Sequence, residues 1–177
     1  MNQVPDQIVI PLSRTKIVLL LLGAVAFVLL SAWLWTIADH QTRHNPFYVK
    51  GAAIAGASFF GLCAGFAFIK LFDPKPGLII DAEGIVDNSS GVSAGRIPWR
   101  EIRGFRVTTV QKQRFITFEV EDPLKYVDRG NFLRRKLNRA NLKYFGSPVQ
   151  ISANALQIKF DELLSVIAQF YERHKDA

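Results

Sequence analysis

Two long apolar runs dominate the first seventy positions, and strand-like alternation follows them. Ile17–Ile37, IVLLLLGAVAFVLLSAWLWTI, carries no charge. At about 1.5 Å of rise per residue it is long enough to cross a hydrocarbon core of about 30 Å. A second uncharged run, Gly51–Ile69, reads GAAIAGASFFGLCAGFAFI. Water-soluble helices keep a polar face, whereas these two are apolar or small on every side. The pattern predicts a transmembrane hairpin at 14–71, with spans 17–37 and 51–69 joined by an outer turn at 38–50. A short N-terminal segment, 1–13, precedes it, and a separate domain, 72–177, follows. The first run exceeds the apolar core of a signal peptide and no Ala-x-Ala site follows it, so it reads as a retained anchor.

After Pro76 the period changes. Gly77–Asp81, Ile85–Asp87 and Ala94–Ile97 are short strand segments separated by turn-forming stretches at 82–84 and 88–91. Phe105–Val110 and Arg114–Val120 are longer strands joined across the polar Gln111–Gln113, and the second alternates with period two. Val149–Ile151 and Leu156–Lys159 predict two more short strands. The final helix, Phe160–Arg173, carries Phe160, Leu163, Leu164, Ile167, Phe170 and Tyr171 on one broad face, with Asp161 and Glu162 where negative charge suits a helix start. Gln7–Pro11 alternates as well, which is compatible with an edge strand of this domain, with packing against it, or with a disordered leader.

Pro98 and Trp99 interrupt the strand pattern. Proline has a fixed φ and no backbone donor, so Pro98 ends a strand and favours a single helical turn. Trp99 and Ile102, three apart, share a face of that turn. A structural role in the core is favoured over stacking on a ligand, provided the indole nitrogen finds a polar partner. Arg100 and Glu101 are expected to point outwards.

Asn131–Tyr144, NFLRRKLNRANLKY, is the strongest electrostatic feature. Leu133, Leu137, Ala140 and Tyr144 fall on one helical face, and Arg134, Arg135, Lys136, Arg139 and Lys143 surround it without an acidic residue. Gly146 and Pro148 supply the stop. Three readings are open: a solvated helix with its leucine face on the sheet, contact with anionic lipid headgroups, or a surface for a membrane-protein partner. No zinc-finger spacing, RNP pattern or Gly-rich clamp supports nucleic acid.

The spans contain no Asp, Glu, Lys, Arg or His, which disfavours a transporter or proton path. Ala53, Ala57, Gly61 and Gly65 recur every four residues, a helix-packing stripe that fits the first span or a homodimer. Trp33 and Trp35 read as interfacial anchors. Asp39, His40 and His44 fall short of a secure zinc ligand set, so the connection reads as a polar turn and no metal site is expected. Cys63, the single cysteine, lies inside the second span, and no intrachain disulfide is possible. The domain has no nucleophilic triad, P-loop or dinucleotide loop, so no catalytic residues, enzyme activity or cofactor are expected. The formal net charge is +7. Arg14 and Lys16, then Arg43 and Lys50, then Lys70 and Lys75 flank the spans in equal pairs. After Lys70 there are seventeen Lys or Arg against thirteen Asp or Glu, which favours both termini and the domain on the cytoplasmic side of the bilayer.

Several residues together resemble a known family: Ile10-Pro11-Leu12-Ser13, Phe72-Asp73 with Pro76-Gly77-Leu78, Asp87 to Ser93, Ile97-Pro98-Trp99 with Ile102, and Tyr144 to Pro148. The chain is similar to small two-span bacterial membrane proteins of uncharacterised function with a cytoplasmic pleckstrin-homology-like domain. The resemblance implies an α+β membrane protein of the inner membrane. Its transmembrane hairpin would be followed by a pleckstrin-homology-like split β-barrel with an inserted basic helix and a C-terminal capping helix. Membrane-proximal binding or scaffolding is the implied role, and no ligand residue set comes with it.

Overall fold

The computed structural model describes residues 5–40 and 45–175. The chain divides into two compact units, Arg14–Pro74 and Met1–Ser13 with Lys75–Ala177.

The first unit is a helical hairpin. Its helices, α1 (Arg14–Ile37) and α2 (Pro46–Leu71), are both long and apolar enough to cross a membrane. α2 begins earlier than the apolar run alone indicates, because Asn45 caps it. The Asn45 side chain accepts from the Phe47 N–H at 2.9 Å, and Pro46 fills the first helical position, where a donor is not needed. The least exposed positions of α1 are spaced three and four apart, including Leu21, Ala24, Val28, Ser31 and Leu34. That spacing gives a seam along which two helices can stay in register. Phe27 and Phe60 stack across it with ring centroids 4.4 Å apart. Of the glycines in the hairpin, Gly56 is the one packed against the other helix: an added Cβ would lie 2.7 Å from Ser31 Oγ. The small-residue stripe therefore divides: Ala53 is buried and Ala57 half-buried, while Gly61 and Gly65 face open space. Asp39 pairs with Lys50 at 2.7 Å, and Lys50 also lies over the Trp35 ring. His44, the second histidine of the connection, lies outside the described residues.

The second unit contains two antiparallel sheets. β1 (Gln7–Ile10), β2 (Leu78–Asp81), β3 (Gly84–Asp87) and β4 (Gly95–Pro98) pair in that order, so the N-terminal segment supplies an edge strand. Ile8 lies opposite Ile80, and Ile85 opposite Ile97. The second sheet is β5 (Ile102–Val110), β6 (Gln113–Val120) and β7 (Gln150–Ile151).

The expected split barrel is not formed. Among the described residues no ladder joins β4 to β5 or β7 to β1. Pro98 has no donor to continue β4, and Trp99–Glu101 then form a single 3-10 turn that carries the chain out of the first sheet. β7 spans only two residues between Pro148 and the turn after Ile151, too few to extend a ladder. The strand expected at 156–159 is absent as well. Leu156 makes one isolated bridge to Leu12, and the Gln157 N–H donates to Pro11 O at 3.0 Å.

Burial rather than strand pairing holds the two open sheets together. α5 (Phe160–His174) buries Leu163, Ile167 and Phe170. These side chains join the fully buried Leu78, Ile80, Ile85 and Ile97 of the first sheet and Ile116, Phe118 and Ile151 of the second. Arg114 of β6 clamps the start of α5, donating to both oxygens of Asp161 at 2.8 and 3.0 Å. At the other end the Tyr171 hydroxyl donates to Arg103 O at 2.9 Å.

Candidate functional site

The basic segment forms α4 (Phe132–Phe145), between β6 and β7, with a shorter helix, α3 (Pro123–Val127), just before it. Both have local starts. The Asp122 carboxylate accepts from the Leu124 and Lys125 N–H groups, with Pro123 at the first position. The Asn131 side chain accepts from the Arg134 N–H at 3.0 Å. α4 stops at Gly146, whose φ of 74° is the left-handed conformation that glycine adopts without strain, and whose N–H reaches Leu142 O at 3.0 Å. Asp122-Pro123 was the sequence signal for α3, which the strand pattern around it obscured.

The leucine face of α4 is not packed on the sheet. The single buried residue of the helix is Asn138, whose Nδ2 donates to Tyr126 O at 3.3 Å. Ala140, Asn141, Leu142 and Phe145 are half-buried. Leu133 (61% exposed), Leu137 and Tyr144 (74% exposed) form a stripe that points away from the unit's core. Hydrophobic spacing sets which residues share a face but not which side of the helix is turned inward, and Asn138 decides that here. The outward stripe is bordered by Lys136 and Lys143, which have no acidic partner among the described residues. Of the other predicted basic residues, Arg139 approaches Asp128 at 3.9 Å and Arg135 Nε donates to Gly130 O at 3.1 Å. Arg134 lies in the first turn and is exposed.

Charged groups beneath the helix hold its base in place. The Arg129 guanidinium lies over the Tyr126 ring at 4.3 Å and donates to the carbonyls of Ala94 and Arg96, both at 2.9 Å. Contrary to expectation, Glu101 does not point into solvent. One of its oxygens accepts from Lys125 Nζ at 2.6 Å and the other from the Tyr126 hydroxyl at 2.7 Å. The Lys125 hydrogen bond draws the Glu101 pKa below its ordinary range, against a smaller effect of burial. Burial, and then the Glu101 carboxylate, push the Tyr126 phenol well above its usual value. These partners lie on α3, more than twenty residues away, so no local pattern revealed them. Because the folded-state pKa of Glu101 is lowered, its stabilisation is fully present above the ordinary carboxylate pKa and is lost as pH falls through the lowered value. Glu101→Gln is expected to cost about 1 kcal/mol at neutral pH, and the difference from the parent should shrink below about pH 4 in a denaturation series.

Pro98, Trp99 and Ile102 lie on β4, the 3-10 turn and β5. Trp99 and Ile102 are buried, and the indole Nε1 donates to Asp81 O at 2.8 Å. A groove of about 260 Å³ lies beside the C-terminal half of α4, lined by neutral side chains including Ser90, Val110, Phe115, Asn141, Phe145 and Gln150. Among the described residues no three His, Cys, Asp or Glu side chains gather where a metal could bind.

Comparison with protein-family models, curated proteins and solved structures finds no match to this chain. The architecture stands on its own as a two-helix apolar hairpin joined to a sheet-and-helix unit.

Proposed function

We propose that this protein is a membrane-tethered, non-catalytic binding module whose α4 rests on an anionic lipid surface. The supporting observation is the outward stripe of Leu133, Leu137 and Tyr144 beside Lys136 and Lys143, which have no acidic partner among the described residues. In a solvated helix, exposed leucines contribute helix propensity and no burial. A helix lying in the headgroup region uses them, sinking apolar side chains toward the acyl boundary while lysine and arginine reach lipid phosphates. Each basic residue near an anionic leaflet adds about 1 kcal/mol of attraction, and tethering through the apolar helices raises the local concentration of that surface. The cytoplasmic face of a bacterial inner membrane, with both termini inside, agrees with the charge distribution. Membership of the two-span bacterial family rests on the residues quoted above. The outward stripe also fits a second reading, an accessory subunit that docks on another membrane protein.

A fluorophore on α4 tests this in the full chain, which keeps β1 in place. The probe is attached at Leu137→Cys in a Cys63→Ser background, in nanodiscs of neutral or mixed anionic lipid. The expected result is quenching by acyl-chain nitroxides in the anionic discs. Lys136→Gln with Lys143→Gln should lower the docking equilibrium about thirtyfold, corresponding to about 2 kcal/mol for two charges. Absence of quenching in anionic discs overturns the lipid reading, and a probe shielded from both water and lipid quenchers in native membranes supports the accessory-subunit reading.

A further inference from the structure

β5 is a nine-residue strand whose outer edge meets no other strand among the described residues. Its hairpin with β6 turns at Gln111 and Lys112, both at positive φ, which makes Val110 and Gln113 the closing hydrogen-bonded pair. Counting back along the register, Gly104, Arg106 and Thr108 turn their backbone groups toward β6, whereas Phe105, Val107 and Thr109 turn theirs outward. Phe118, opposite Phe105, shows the same phase: its N–H donates away from β5, to Val149 O at 3.1 Å.

Other strand edges are short or covered. Arg129 caps the carbonyls of Ala94 and Arg96 along β4, and β7 has only two residues. On β5 the cover ends at Arg103, whose carbonyl accepts from Tyr171. Charged side chains commonly guard an open edge, but here they are drawn back across the sheet. Arg106 binds Glu119 of β6 and Phe145 O, and Arg103 reaches Glu121 at 3.5 Å. Val107 shares a sheet face with its fully buried partner Ile116, yet is itself 44% exposed.

We propose that β5 pairs antiparallel with β5 of a second copy of this chain, about a twofold axis at Val107. In this register Phe105 faces Thr109 of the partner subunit, and Val107 faces Val107 of the partner subunit. About six backbone hydrogen bonds form from groups that otherwise have no strand partner. Arg106 falls opposite Thr108 of the partner subunit, so no like charges oppose each other. Pairing ends naturally: Arg103 faces Gln111 of the partner subunit, where that hairpin turns away, and the Tyr171 hydroxyl keeps its place. The strand is self-complementary about its centre, which selects a second copy over an unrelated peptide. The two sheets become one six-stranded sheet with Val107 covered at its centre. This pairing does not depend on the lipid reading of α4.

The test uses the full chain in nanodiscs and detergent, with Cys63→Ser as parent. Cα atoms in such a pair lie about 5.5 Å apart, within disulfide reach. Val107→Cys should therefore cross-link to a dimer under mild oxidation, and Thr109→Cys, displaced from the axis, should not. Val107→Pro removes an outward N–H while sparing the ladder to β6, and should give a monomer by light scattering. Should that variant fail to fold, Val107→Lys sets like charges face to face and should lower the dimer association constant about tenfold. A parent that is monomeric at every concentration overturns the proposal. So does a Val107→Cys thiol that labels freely without cross-linking, or a folded Val107→Pro or Val107→Lys chain that retains the parent's dimer mass.

Discussion

Trp99→Ala is expected to lower unfolding free energy by about 4 kcal/mol, more than any single substitution on the surface of the sheet unit. Trp99 is 2% exposed and is among the largest fully enclosed side chains. Its ring stacks on Phe170 of α5 at 6.5 Å and tilts against Tyr171 at 6.3 Å, while its N–H is fixed to Asp81 O. It stands in the short turn between β4 and β5, where no backbone ladder joins the two sheets. Burial through α5 is what connects them there, so alanine leaves both a cavity and a weakened joint. Trp99→Phe keeps most of the apolar area but leaves the Asp81 carbonyl without its donor, at a cost of about 1 kcal/mol beyond the lost volume. Denaturant unfolding of the full chain in a fixed detergent, followed by far-ultraviolet circular dichroism, measures both. A Trp99→Ala chain within 1 kcal/mol of the parent, by the order of magnitude expected for a surface change, would remove Trp99 from the joint.

How much of this was legible varies by element, for physical reasons. The hairpin could be read because an uncharged apolar run of about twenty residues has few structures open to it. β6 could be read because Phe115 to Val120 alternate within one short window. The C-terminal end of α4 could be read because Gly146 acts on its immediate neighbours. Its orientation could not, because Leu133, Leu137, Ala140 and Tyr144 make an equally good stripe whether they face inward or out. Barrel closure failed for a similar reason: it needs ladders between strands far apart in the chain, and although Pro98 marks the end of β4, no local signal says that β5 then joins a different sheet or that β7 spans only two residues. The Glu101 site was missed because Lys125 and Tyr126 reach it only after β5, β6 and α3 have folded.

Asp87→Ala is expected to cost about 3 kcal/mol, and the loss should grow as the solution is acidified. Asp87 is 3% exposed at the end of β3 and organises the turn that follows. One oxygen accepts from the Ser89 N–H at 2.8 Å and from Ser89 Oγ at 2.6 Å, and the other accepts from the Ala94 N–H at 3.3 Å. Alanine strands these donors in a buried site, beside the Ala94 carbonyl that Arg129 holds. Burial raises the Asp87 pKa, and the hydrogen bonds from Ser89 and Ala94 only partly oppose it. A raised folded-state pKa means that the folded chain binds this proton more readily than the unfolded chain. The Asp87 contribution to stability therefore increases as pH falls through the folded value, and levels off below the ordinary aspartate pKa near about 4. Glu101 and Asp161 act oppositely, since hydrogen bonds from Lys125 and Arg114 lower their pKa values and their stabilisation is lost in acid. The difference between parent and Asp87→Ala cancels those groups and isolates the buried one. Unfolding free energies measured for both chains from neutral pH down to about pH 4 should diverge; curves that run parallel would mean that Asp87 titrates in the folded chain as it does in the unfolded one.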